Sequence, residues 1–203
     1  MSLLRGQILP KDAKIEPMEK NDQQLVADFL AGDDASFELL VKKYLKPAYN
    51  FLYRLTGGDV ALTDDLTQET FLKAWKNIKR YDLEKNFKVW IFAIAKNNAR
   101  DTWKRKKTLP FVLFENSDGY NKLDEVAEEK PLPDEILERI ESAGELDVKL
   151  KKLPKKYQTI LLMRYKDDLS VTEIAEVLAI PYNTVKSQHQ RALGLLKNEI
   201  LHP

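Results

Sequence analysis

The run Ser170-Val171-Thr172-Glu173 has the S-x-x-E form of a capping box. The serine oxygen takes the backbone N–H of Glu173 while the glutamate returns to the N–H of Ser170, so a helix starts there. Ile174, Ala175 and Leu178 supply its inner face, and the small Ala175 lets a second helix come close. Ala179-Ile180-Pro181 then forms a tight turn. Pro181 lacks an N–H and presets its backbone angle, which opens the next helix without stranding a donor. Val185, Ala192, Leu193 and Leu196 anchor that helix, leaving Asn183, Thr184, Lys186, Ser187, Gln190 and Arg191 facing away. Short polar residues, amides and bases near a helix N-terminus are what a recognition helix offers to base edges in the major groove. Paired helices about a tight turn also occur in proteins that touch no DNA. The cap, the small inner residue, the proline turn and the polar face together select a helix-turn-helix over Ser170 to Leu196.

The charge map divides the rest of the chain. Net charge is +1 over 203 residues, but Lys96 to Lys107 holds six bases against one acid. Glu115 to Asp147 holds twelve acids against three bases, and Lys149 to Pro203 ten bases against five acids. Two basic modules flanking an acidic stretch suggest two contacts with polyanions joined by a segment that makes none. The expected organisation is all-α: two small helical domains, residues 21–107 and 145–203, joined by an acidic flexible linker over 108–144. Pro110, Pro131 and Pro133 fall in that linker, whose single helical patch is Ile136, Leu137 and Ile140. Residues 1 to about 20 show no sustained period and read as a flexible leader, native or added ahead of Met18. No run approaches the ~20 apolar residues that span a bilayer, and there is no cysteine, so a soluble protein of a reducing cytoplasm is expected.

Within the N-terminal module, Leu25, Phe29 and Leu30 share one helical face between Asn21 and Leu30. Phe37, Leu40, Val41, Tyr44 and Leu45 repeat at helical spacing, and Pro47 predicts a break or kink before Phe51, Leu52 and Leu55. Gly57-Gly58 ends that helix. Asp59 caps a further one to about Asn77, with Phe71, Ala74, Trp75 and Ile78 as its apolar seam. Asp65, Gln68, Glu69 and Leu72 line the opposite face, which is either solvated or a docking surface for another protein. After a loop from Tyr81 to Asn86, a helix from Phe87 to about Lys107 turns Phe87, Trp90, Ile91 and Ile94 inward. Its far half carries Lys96, Arg100 and Lys104 every four residues, with Trp103 and Lys107 alongside and Asn97 and Asn98 at the transition. Such a row suits phosphates, since each neutralised phosphate releases counterions, and an aromatic neighbour can carry an unstacked base. A solvated basic helix end, favoured by the helix dipole, is the alternative.

Three segments in this order resemble the compact, extracytoplasmic-function type of bacterial RNA polymerase sigma factor. They are Asp64-Asp65-Leu66-Thr67-Gln68-Glu69-Thr70-Phe71-Leu72-Lys73-Ala74-Trp75, then Trp90-Ile91-Phe92-Ala93-Ile94-Ala95-Lys96-Asn97, then Glu173-Ile174-Ala175 with Thr184-Val185-Lys186-Ser187. The resemblance covers about Asn21 to Leu201. It implies that Asp65, Gln68, Glu69 and Leu72 dock on the clamp coiled coil of the largest subunit of core RNA polymerase. It also implies that the helix from Phe87 and the loop before it hold the minus-10 promoter element as single-stranded DNA. Asn97 would then contact a flipped base and Lys96, Arg100 and Lys104 would follow phosphates, with Trp103 packing rather than stacking. Asn183, Thr184, Lys186, Ser187, Gln190 and Arg191 would read the minus-35 element as duplex, with Thr172 near a phosphate. The acidic linker would thread the RNA exit channel, and an anti-sigma protein would hold the factor inactive. Members of this type usually carry Gly where Ala179 stands and an apolar residue where His189 stands, beside Gln188 where Arg is frequent. His189 reads as a partly buried neutral histidine, with a pH-sensitive packing switch as the alternative.

Catalysis finds no support in the composition. The histidines are His189 and His202, no Gly-rich phosphate loop follows a strand, and no carboxylate and histidine cluster has metal-ligand spacing. Neither a cofactor nor a metal is expected, and the chain is read as no enzyme. The competing readings are a helix-turn-helix regulator that recruits no polymerase and an adaptor that binds proteins through both modules.

Overall fold

The computed structural model describes residues 20–106 and 143–201. The expected leader and most of the acidic linker, with Ile136, Leu137 and Ile140, lie outside the described residues. Those described form helices with no strand among them: α1 (Asp22–Leu30), α2 (Asp34–Leu55), α3 (Val60–Asn77), a 3-10 turn (Ile78–Arg80) and α4 (Phe87–Lys106). After the linker come α5 (Ala143–Lys152), α6 (Lys155–Tyr165), α7 (Val171–Leu178) and α8 (Tyr182–Leu201).

Local chemistry fixes most helix starts. Asn21 and Gln24 cap α1 reciprocally, and the Asp59 carboxylate accepts the N–H of Leu62 at 3.0 Å to start α3. The expected box at α7 is present: Glu173 N–H donates to Ser170 Oγ at 3.2 Å and Ser170 N–H to Glu173 Oε2 at 2.8 Å. Burial would raise the Glu173 carboxyl, but the bonds it accepts from Ser170 and Asn86 hold it below the usual carboxylate range.

The break expected at Pro47 does not occur, and α2 runs through the proline to Leu55. Pro47 removes one main-chain hydrogen bond. Leu40 and Tyr44 before it and Ala48, Phe51, Leu52 and Leu55 after it lie on one buried face. A break would throw one half of that face out of phase with α3 and α4, so burial outweighs the missing bond. The helix stops where Gly57 and Gly58 take φ of +70° and +95°.

α2, α3 and α4 pack on one another, with α1 against α2. The Phe51 and Phe92 rings stack with centroids 4.7 Å apart, and Tyr44, Tyr81 and Trp90 surround Phe87. On the C-terminal side Leu150, Leu153, Tyr157, Leu161, Ala192 and Leu196 join α5, α6 and α8 in a small cluster. The rest of that side does not form a separate core. Ile160, Met163, Leu169, Val171, Ile174, Val177, Leu178 and Val185 belong to the apolar cluster of the N-terminal helices. α7 packs directly against α4.

Candidate polymerase and DNA interfaces

The stripe on α3 is presented to solvent. Asp65 and Gln68 are exposed, Leu72 is 52% exposed, and Glu69 pairs with Lys73 at 2.7 Å. Trp75, expected in the apolar seam, is instead 51% exposed. It follows Leu72 by three residues and Gln68 by seven, which puts it in phase with the stripe rather than with the buried Phe71, Ala74 and Ile78. The sequence reading missed it because its size suggested core, while its spacing pointed outward. Leu72 and Trp75 thus form an exposed apolar pair beside the carboxylate of Asp65 and the amide of Gln68.

Hydrogen bonds clamp α3 to α4. Asn98, 2% exposed, donates from Nδ2 to Thr70 Oγ1 at 3.0 Å and accepts from Lys73 Nζ at 2.6 Å. Asn97, next to it, faces solvent. The adjacent amides thus divide, one fixing α3 to α4 and the other exposed.

The basic row of α4 does not form one exposed line. Lys104 is exposed and Arg100 half-buried, but Lys96 is 2% exposed, and burial together with the Arg100 charge draws its ammonium below the ordinary value. At 3.6 residues per turn, residues four apart drift by about 40° per step, so the row winds from the core toward solvent. Trp103 packs against the core, as the resemblance implied. In the preceding loop the Tyr81 hydroxyl donates to the Lys85 carbonyl, and burial raises its pKa to about 12, keeping that proton in place.

On α8 the buried seam is Val185, His189, Ala192 and Leu196. Asn183 is exposed, as is Thr172 on α7, while Thr184, Lys186, Ser187, Gln190 and Arg191 are half-buried. Ser187 Oγ donates to the Thr184 carbonyl at 3.1 Å. Ala179, at the turn, takes the left-handed angles φ 53° and ψ 47°. This is the conformation glycine adopts without strain. His189 is 4% exposed, with Nε2 3.2 Å from the Tyr165 hydroxyl. Among the described residues no helix is long and apolar enough to cross a membrane.

A helical module with an exposed amphiphilic stripe is thus joined to a helix-turn-helix. The family description Sigma-70 region 2 matches residues 40–108, and Sigma-70, region 4 matches residues 143–196. The chain is 30% identical over 185 residues to the ECF RNA polymerase sigma factor SigW of Bacillus subtilis, covering 90% of this chain and 98% of that one. It is 28% identical over 183 residues to the ECF RNA polymerase sigma-E factor of Haemophilus influenzae, covering 88% and 95%. Among solved structures, CnrH in complex with the cytosolic domain of CnrY aligns with a TM-score of 0.55 at 23% identity, covering 87% of this chain and 94% of CnrH. The sigma factor RpoE bound to the anti-sigma factor NepR from Bartonella quintana aligns equally well, TM-score 0.55 at 18% identity, over 81% and 96%. The chain belongs to the extracytoplasmic-function group of the sigma-70 family.

Proposed function

We propose that this protein binds core RNA polymerase through α3, recognises promoters through α4 and α8, and assists strand opening, leaving the chemistry to the polymerase. The observation that carries the reading is the exposed stripe of Asp65, Gln68, Leu72 and Trp75, which a DNA-binding regulator acting alone would not need. Its partner is the clamp coiled coil of the largest polymerase subunit, as in the family. Asn97 meets an unstacked base of the minus-10 element, with Arg100 and Lys104 on its phosphates. Lys96, buried here, is a phosphate ligand only if α4 rearranges on binding DNA. Asn183, Thr184, Lys186, Ser187, Gln190 and Arg191 enter the minus-35 major groove while Thr172 meets the backbone. The protein works in the cytoplasm and is held in check by an anti-sigma protein, a partner supported by relatives of the same fold that are bound in this way.

Reconstitution with core polymerase followed by run-off transcription tests the assignment. Promoter-dependent transcripts are expected. Absence of core association would refute the reading, and association without initiation would favour an adaptor. Asn97→Ala is expected to slow open-complex formation while leaving duplex binding unchanged, and an unaltered opening rate would remove Asn97 from the base contact.

A further inference from the structure

The outer face of α2 carries a row of bases and a pair of stacked rings. At about 100° per residue, Lys42, Lys46, Tyr49 and Tyr53 fall within about 60° of one another, opposite the buried Leu40, Ala48 and Leu55. Lys42 and Lys46 are exposed, Tyr53 is 43% exposed and Tyr49 is half-buried. The Tyr49 and Tyr53 rings stack, with centroids 6.3 Å apart and planes inclined by 16°. Gly58 makes room for them: at its φ of +95° a Cβ would lie 3.3 Å from Tyr53 Oη. The bare backbone thus lets the Tyr53 ring rest on the turn that ends α2.

From Leu39 to Gly58 the chain holds four bases, Lys42, Lys43, Lys46 and Arg54, and no acid. Lys43 pairs with Asp22 at 2.6 Å and Arg54 with Asp167 at 2.7 Å. Lys42 and Lys46 enter no ion pair among the described residues, although Glu38 stands one turn before Lys42. A solvated helix face ordinarily alternates its charges, and this one does not. We propose that the outer face of α2 is a second track for single-stranded DNA: Lys42 and Lys46 follow phosphates of a separated promoter strand, and Tyr53 takes an unstacked base. The identity of that strand rests on the promoter-opening function proposed for the protein. The strip from Lys42 to Tyr53 is about 16 Å long, room for a few nucleotides. Any base can stack on an aromatic ring, whereas a duplex keeps its base faces covered. Lysine is depleted in protein–protein interfaces, which disfavours a protein as the occupant.

Fluorescence anisotropy of the full chain with a dye-labelled oligothymidine of about 15 nucleotides tests the face directly. Lys42→Glu with Lys46→Glu should weaken binding at least about tenfold and reduce its salt dependence. Tyr53→Leu should weaken it at least about fivefold with the salt dependence unchanged, and Tyr53→Phe, which keeps the ring, should bind as wild type does. Duplex DNA binding and far-UV circular dichroism should stay unchanged throughout, which separates loss of the face from loss of fold. No oligothymidine binding by wild type, no response to these substitutions, or an equal loss on duplex would each overturn the proposal. The chain has no native cysteine, so Asn50→Cys, one turn from Lys46, can carry a photo-crosslinker alone. In the complex with core polymerase and promoter DNA it should label a promoter strand, and labelling of polymerase subunits alone would overturn the proposal. Failure of polymerase to associate at all would instead refute the sigma reading, since oligothymidine binding is measured without it.

Discussion

In the N-terminal module every described residue with positive φ is a glycine, Gly32, Gly57 or Gly58, whereas in the C-terminal module the two such residues are Asp168 and Ala179. Both flank α7, and of the two Ala179 carries the strain, about 1 to 2 kcal/mol relative to glycine, since aspartate adopts the left-handed region more readily. The difference extends to the cores. α2, α3 and α4 bury large aromatic and aliphatic side chains among themselves and are tied by Asn98. The C-terminal helices keep a cluster of six buried residues for themselves and lend the rest of their apolar surface to their neighbour. A module with a self-sufficient core can hold a docking face rigidly.

The comparison can be broken most sharply at Leu72. Leu72→Arg is expected to lower core-polymerase affinity by at least about 100-fold, about 3 kcal/mol, while far-UV circular dichroism and duplex DNA binding stay unchanged. Equal loss of both binding activities would erase the division of labour between modules. Next in size is Arg191→Ala, which should cost about 1 to 3 kcal/mol in DNA affinity and relax sequence preference. Uniform weakening across sequences would make Arg191 a phosphate contact instead. Asn98→Leu removes the bonds that tie Thr70 and Lys73 of α3 to α4, leaving those groups only their partners on α3 itself, and urea unfolding should show a loss of about 1 to 2 kcal/mol. A neutral result would mean that apolar packing alone aligns α3 with α4. The smallest effect is a gain: Ala179→Gly should stabilise the protein by about 1 kcal/mol by relieving the left-handed turn. Destabilisation there would show that strain is not what distinguishes the C-terminal module.

Much of the site was legible because it rests on local chemistry. The Asp59 cap, the span of α3, the start of α4 at Phe87 and the box at Ser170 follow from side chains bonding to their own backbone within three or four residues. Exposure of Asp65, Gln68 and Leu72 followed from phase alone. Trp75 was misjudged because residue type was weighed above phase, and Pro47 because a local penalty was weighed above the burial on either side of it. Lys96 was placed with Arg100 and Lys104 by its four-residue spacing, although drift around the helix carries it into the interior. His189 departs from the apolar residue usual at its position yet lies in the buried seam of α8, beside Tyr165.

The sequence by itself determined the helices, their caps, the turn before Pro181, the polar face of α8 and the family, since each depends on residues a few positions apart or on motifs read in order. The tertiary structure alone decided that the core of the helix-turn-helix runs into that of the N-terminal module. It alone brought Arg54 to Asp167 and Lys85 to Glu176. Those pairs are separated along the chain by 113 and 91 residues, and no periodicity encodes them. Which charges meet depends on how two apolar faces dock, and that is settled by the packing of the whole surface.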